Sequence, residues 1–159
     1  MRRREGVRVP ENYKTPLAVI VTAVLVIASL GFATRPAAAT RLGRTVWDSV
    51  YSTTQAARGE STYARSCARC HGATLTGANE APPLAGSAFL GNWNGLALNE
   101  LQNRIQTTMP SDSVGIYNRT LVVTVMSYLL KANGFPAGTV DLPESVDSLK
   151  SIMLQTSKP

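Results

Sequence analysis

The chain has 159 residues, 44% of them hydrophobic and 16% charged, with 12 Gly and 9 Pro. That composition suits one packed domain and excludes a large multi-domain enzyme, wholesale disorder and a coiled coil. The formal charge of +6 is uneven: residues 1–39 carry Arg2, Arg3, Arg4, Arg8, Lys14 and Arg35 against Glu5 and Glu11, a net of +4, which leaves +2 for the remainder. A nucleic-acid binder keeps a basic stripe on its folded part; this chain does not, so no nucleic-acid partner is expected. Two Cys, one His and four Met are the whole stock of sulfur and imidazole ligands, too few for any site that needs several His or Cys.

Met1 to Lys14 is basic, Thr15 to Thr34 uncharged, and Leu17–Ala33 (LAVIVTAVLVIASLGFA) apolar; Arg35-Pro36 and Ala37-Ala38-Ala39 follow. This is the three-part pattern of a secretory signal, with cleavage after Ala39. A retained membrane anchor is the alternative: Leu17–Ala33 at ~1.5 Å per residue spans about 25 Å, slightly under the ~30 Å hydrocarbon core, a shortfall that bilayer thinning absorbs. Both readings hold the basic N-terminus in the cytoplasm and place everything after residue 39 outside it. The organisation expected is a signal peptide or signal anchor over 1–39, a lead-in over 40–54, a main domain over 55–138 and a C-terminal tail over 139–159.

A helix is expected from Thr53 or Thr54 to Cys67, with Thr as N-cap. Residues 71–95, rich in Gly and containing Pro82-Pro83, should be mainly loop. Leu98, Leu101 and Ile105 recur at helical spacing, which predicts a short helix over 99–107 with Asn99 as cap, ended by Pro110. Leu-Val-Val-Thr-Val at 121–125 favours a strand by β-branching. Against that, Leu121, Val125, Tyr128 and Leu129 share a helical face and Asn133-Gly134 with Pro136 is a helix stop, so 119–133 reads as helix. A last, weak helix is expected from Pro143 to about Leu154, with Val146, Leu149 and Met153 on one side.

Both cysteines and the single histidine fall within Cys67-Ala68-Arg69-Cys70-His71. A structural zinc site wants four N or S ligands, and three at most are present. A thioredoxin-type pair wants a βαβ setting, which is absent. A disulfide would close a tiny loop and leave His71 unexplained. Covalent haem attachment uses all three residues: each thiol adds to a vinyl group and the adjacent imidazole lies under the iron. Export agrees, because that attachment takes place outside the cytoplasm.

From about Gln55 to Gly138 the chain resembles the class I c-type cytochromes. Gly59, Tyr63, Cys67, Cys70 and His71 match that family's first helix and haem-binding pentapeptide; Val125 and Tyr128 match the pair on its C-terminal helix that crosses the first helix at Gly59 and Tyr63. The resemblance implies an all-α class I cytochrome c fold, about four helices wrapped round one covalently attached haem c. It also implies an axial methionine on the loop between the last two core helices, where Thr107-Thr108-Met109-Pro110 stands. His71 and Met109 are then the metal ligands, the soft thioether raising the potential, while Met126 on an apolar helix face is expected to pack. Ala81-Pro82-Pro83-Leu84 is similar to the family's Pro-x-Leu segment, which implies that the Pro82 carbonyl accepts the other imidazole N–H of His71. Trp93 is either a donor to a haem propionate, as in many relatives, or an ordinary buried aromatic. Arg65 and Arg69 either rim the exposed haem edge or are solvated surface charges.

A haem iron with both axial positions filled exchanges electrons and little else. The resemblance therefore implies an electron-transfer protein rather than an enzyme, a periplasmic monohaem cytochrome between a donor dehydrogenase or respiratory complex and an acceptor. Val50-Tyr51, Gln55-Ala56, Arg58-Gly59 and Asn133-Gly134-Phe135-Pro136-Ala137-Gly138 are similar to cytochrome domains found beside periplasmic pyrroloquinoline quinone-dependent dehydrogenases, which implies redox protein partners of that type, an oxidase or another respiratory complex. Two other readings stay open: a subunit held in a membrane complex by residues 17–33, and a haem sensor or enzyme with an open sixth position.

Overall fold

A computed structural model of the protein describes residues 43–78 and 80–159; the expected signal or anchor segment, 1–39, lies outside them. Among the described residues are six helices: α1 (Thr53–Ser66), α2 (Ala68–His71), α3 (Ser87–Trp93), α4 (Leu98–Thr108), α5 (Arg119–Ala132) and α6 (Val146–Lys150). Two two-residue strands, β1 (Arg44–Thr45) and β2 (Ile152–Met153), pair in parallel with Arg44 opposite Ile152. The fold is mostly helical, as expected of a class I cytochrome c. It has more pieces than the four helices expected, because the single-turn α2 and the short α3 were not separable from their surroundings.

Ser52, Thr53 and Thr54 are all competent to cap α1, and the cap falls on Ser52 rather than on a threonine. Its hydroxyl accepts from the Gln55 N–H at 3.0 Å and donates to Asp141. The Ser52 hydroxyl first, and then Arg58 at 2.8 Å, hold the Asp141 carboxyl below its ordinary range although partial desolvation opposes them. That carboxylate also lies at the positive end of the α1 dipole.

Three further expectations are corrected. Within the expected loop 71–95, Ser87–Trp93 is helical, with Phe89 only 2% exposed; one buried aromatic holds about two turns that the internal Gly91 disfavours. Asn99 does not cap α4: Ala97 occupies that position without a side-chain bond, and the Asn99 amide donates to Glu100 instead. The expected helix from Pro143 to Leu154 is reduced to Val146–Lys150, capped by Ser145. Beyond it Ile152 and Leu154 are buried with Met153 half-exposed between them, the two-residue period of a strand held by β1.

The lead-in and the C-terminal segment close on each other. The Trp47 indole donates to the Gln155 carbonyl at 2.9 Å, the Tyr51 hydroxyl to the Phe135 carbonyl at 2.6 Å, and the Gln55 amide exchanges two hydrogen bonds with the backbone of Leu142. Leu142, Leu149, Ile152 and Leu154 are at most 1% exposed, each burial contributing about 1.5–3 kcal/mol. Residues 139–159 are thus packed against the same core as the helices.

The principal packing is α1 across α5, and it turns on Gly59. A Cβ there would stand 2.1 Å from the Thr124 carbonyl oxygen and 2.9 Å from the Tyr128 Cβ. Hydrogen at this position is therefore a condition of the crossing, not a preference. One turn on, Tyr63 and Tyr128 pack with ring centroids 5.3 Å apart. Gly59→Ala should separate the helices and destabilise the domain by about 1–3 kcal/mol or more, read as a lower urea midpoint; an unchanged midpoint would show that the crossing relaxes freely.

Candidate cofactor site

Cys67 is the residue at which α1 ends and α2 begins, serving as C-cap of one and N-cap of the other. The break turns the cysteine-histidine motif into its own helical turn. That turn is fastened to α1 from behind: the Tyr63 hydroxyl donates to the Gly72 carbonyl at 2.6 Å. Burial, and after it the neighbouring Cys67 and Tyr128, push the Tyr63 hydroxyl up to about 12, so it remains a donor at every physiological pH. Cys67 is half-buried and Cys70 exposed, and both thiols are free. Burial, with Cys70 second, pushes the Cys67 thiol up, which keeps it protonated.

All six residues singled out from the sequence line one cavity of about 960 Å³: Cys67, Cys70, His71, Pro82, Trp93 and Met109. The volume is at the upper end of the ~300–1,000 Å³ common for cofactor sites. Its wall is apolar, formed by Phe89, Leu101, Ile105 and, from α5, Leu121, Val122, Val125 and Leu129. No residue of 43–52 or 130–159 lines it. His71 is 8% exposed, and its Nδ1 lies 2.9 Å from the Pro82 carbonyl oxygen. The carbonyl makes Nδ1 the protonated nitrogen and leaves Nε2 as the one open to a metal. Trp93 is half-buried and tilted on Phe89, ring centroids 6.3 Å apart. Met126 is fully buried outside the cavity and Met153 belongs to β2, so of the described methionines only Met109 reaches it. Among the described residues no three His, Cys, Asp or Glu converge on a point that could hold a metal ion.

The Pro82 carbonyl is placed by a tight loop. Gly72, Leu75 and Gly77 all have positive φ, of 79°, 61° and 78°, and the Gly77 N–H donates to the His71 carbonyl at 2.9 Å. A Cβ on Gly77 would lie 2.6 Å from the Ala81 carbonyl oxygen and 3.0 Å from the Pro82 carbonyl carbon. The loop's far end is held by Asn133, whose amide donates to the Leu84 carbonyl and accepts from the Gly86 N–H, each at 3.0 Å. Asn133 was legible only as a helix stop; nothing in its neighbourhood announces a bond to residues 84–86. Arg69, open to two readings from the sequence, is ion-paired with Asp112 on the loop after Met109. Arg65 is exposed and lies outside the cavity.

Gly77→Ala should force the 81–83 segment away from the imidazole. A loss of about 1–3 kcal/mol in stability is expected, together with a displaced His71 ring N–H resonance. Lost stability with that resonance unmoved would separate the loop's packing from its hold on the ring.

Residues 54–119 match the family described as cytochrome c oxidase, cbb3-type, subunit III. The matched span runs from the start of α1 through the motif and Met109 to the first residue of α5. No curated protein and no solved structure matches the chain. A domain of this kind binds haem c covalently, and the cavity suits that group: two free thiols at its rim, an imidazole with one nitrogen engaged, a thioether, and apolar walls. Taken with the helical fold and the crossing at Gly59, the match makes residues 54–119 part of a class I c-type cytochrome domain, an electron-transfer haem protein.

Proposed function

We propose that this domain is a monohaem electron carrier whose axial ligands are His71 and Met109. Cys67 and Cys70 hold the haem through thioether bonds, His71 offers Nε2, and Met109 offers its sulfur. The observation that carries the reading is the common cavity: the motif turn α2 and the residue that ends α4 both line it, and no other described methionine does. When bound, the haem supplies a one-electron couple.

The chain's own residues set the conditions for that couple. The Pro82 carbonyl fixes the ring orientation and tautomer of His71. Aliphatic and aromatic side chains from α3, α4 and α5 keep water out, which limits rearrangement when charge changes. Cys70 and Pro82 are exposed, so a partner reaches the cavity from that side. Redox encounters of this type bury little surface, below about 1,200 Å².

The proposed location is the periplasm. The donor is a dehydrogenase of the pyrroloquinoline quinone type or a respiratory complex, and the acceptor an oxidase. The family description, which names an oxidase subunit, favours a second form of the same reading: a cytochrome subunit of a membrane-bound complex, tethered by residues 17–33. N-terminal sequencing of the exported protein distinguishes the two. Thr40 as first residue gives the soluble carrier, and an intact leader the tethered subunit.

Met109→Ala tests the ligand. The ferric protein should lose its weak far-red sulfur-to-iron band, its potential should fall, and the reduced form should bind carbon monoxide rapidly at neutral pH, which the parent should not. A variant that keeps both band and potential would put another residue on the iron. Pigment that leaves the polypeptide in acidified organic solvent would overturn the covalent attachment itself.

A further inference from the structure

The segment that carries Met109 is weakly tied to the rest of the domain. Residues 111–116 are all exposed. The loop's internal bonds, Ser113 N–H to the Pro110 carbonyl at 3.0 Å and the Gln106 amide to the Tyr117 carbonyl, join it only to itself and to α4. Of the three ion pairs among the described residues, Arg58–Asp141 and Lys131–Glu60 link α1 to the chain beyond the cavity. The third, Arg69–Asp112, joins the cysteine motif to the Met109 loop, and both of its residues line the cavity.

We propose that Arg69 and Asp112 form a latch that keeps the Met109 loop closed over the sixth coordination position. The inference rests on the ligand reading above. Arg69 stands between Cys67 and Cys70 on the motif turn α2, which the Tyr63 hydroxyl fastens to α1. Asp112 follows Met109 by three residues, so the loop cannot lift the thioether away while the pair holds. Neither side chain touches the sulfur; both are positioning residues that act through the loop. The pair is more than half exposed on each side, which limits its strength and makes it sensitive to salt. A restraint of that size does not lock the loop; it sets how often an outside ligand finds the position open.

Imidazole binding to the purified ferric protein, followed optically, reads this directly. An imidazole nitrogen replaces the thioether sulfur on the iron with no change of oxidation state. Asp112→Asn and Arg69→Gln should each raise imidazole affinity about two- to five-fold, the range open to an exposed pair. The double variant should gain no more than either single one, since each removes the same interaction. Asp112→Glu, which keeps the charge, should stay near the parent. Salt at ~1 M, where screening acts within about 3 Å, should raise the parent's affinity toward the variants and leave theirs unmoved. Equal affinities in all forms, additive effects in the double variant, or Asp112→Glu behaving like Asp112→Asn would each overturn the latch. If the parent lacks the far-red sulfur band, the ligand assignment fails and the latch with it; if the band is present and the affinities are equal, the latch alone fails.

Discussion

Two helices pass at Gly59 with less room between them than a methyl group needs, and the rest of the domain is hung from that contact. It sets Tyr128 against Tyr63, and Tyr63 in turn holds the Gly72 carbonyl at the end of the motif turn. On its other side α5 presents Val122, Val125 and Leu129 to the cavity. The crossing thus fixes the separation between the residues that would grip a haem and the wall against which it would lie. A wider crossing would move both together.

Around His71 the structure uses backbone rather than side chains. The loop from Gly72 to Gly86 turns back on the imidazole by way of Gly72, Leu75 and Gly77, all with positive φ; for Leu75, which carries a side chain, that conformation costs about 1–2 kcal/mol. The burial of Leu75 at 5% exposure and the Leu84 N–H bond to its carbonyl at 2.8 Å offset that strain. The reward is a carbonyl held at a fixed distance from Nδ1, which selects one tautomer and one ring orientation. Arg69–Asp112 and the Asn133 bonds to residues 84–86 complete the frame from two other directions.

Much of the site was readable because its signals are local. Cys67, Cys70 and His71 are contiguous, Gly59 and Tyr63 lie one turn apart on the same helix, and Met109 stands before the proline that ends α4. The features that escaped all depend on partners distant in sequence. The cap expected on Thr53 or Thr54 falls on Ser52, whose hydroxyl also reaches Asp141, 89 positions away. Asn133 reaches back 47 and 49 positions to Gly86 and Leu84, and Arg69 reaches forward 43 to Asp112. The strand at Ile152–Met153 exists only because Arg44–Thr45 lies beside it; taken alone, the same residues fit a helical face. Phe89 shows the converse case, a short helix set by one buried ring in a stretch whose composition argues for loop.

Helix α5 has no idle side. One flank is buried against α1, and Leu121, Val122, Val125 and Leu129 face the cavity. Val122, Val125 and Leu129 line that cavity and are at most 5% exposed, so the side chains that pack the core are also the ones that meet whatever fills it. A prosthetic group held there would rest on the very side chains that join α1 to α5, so its seat and the domain's core share one wall.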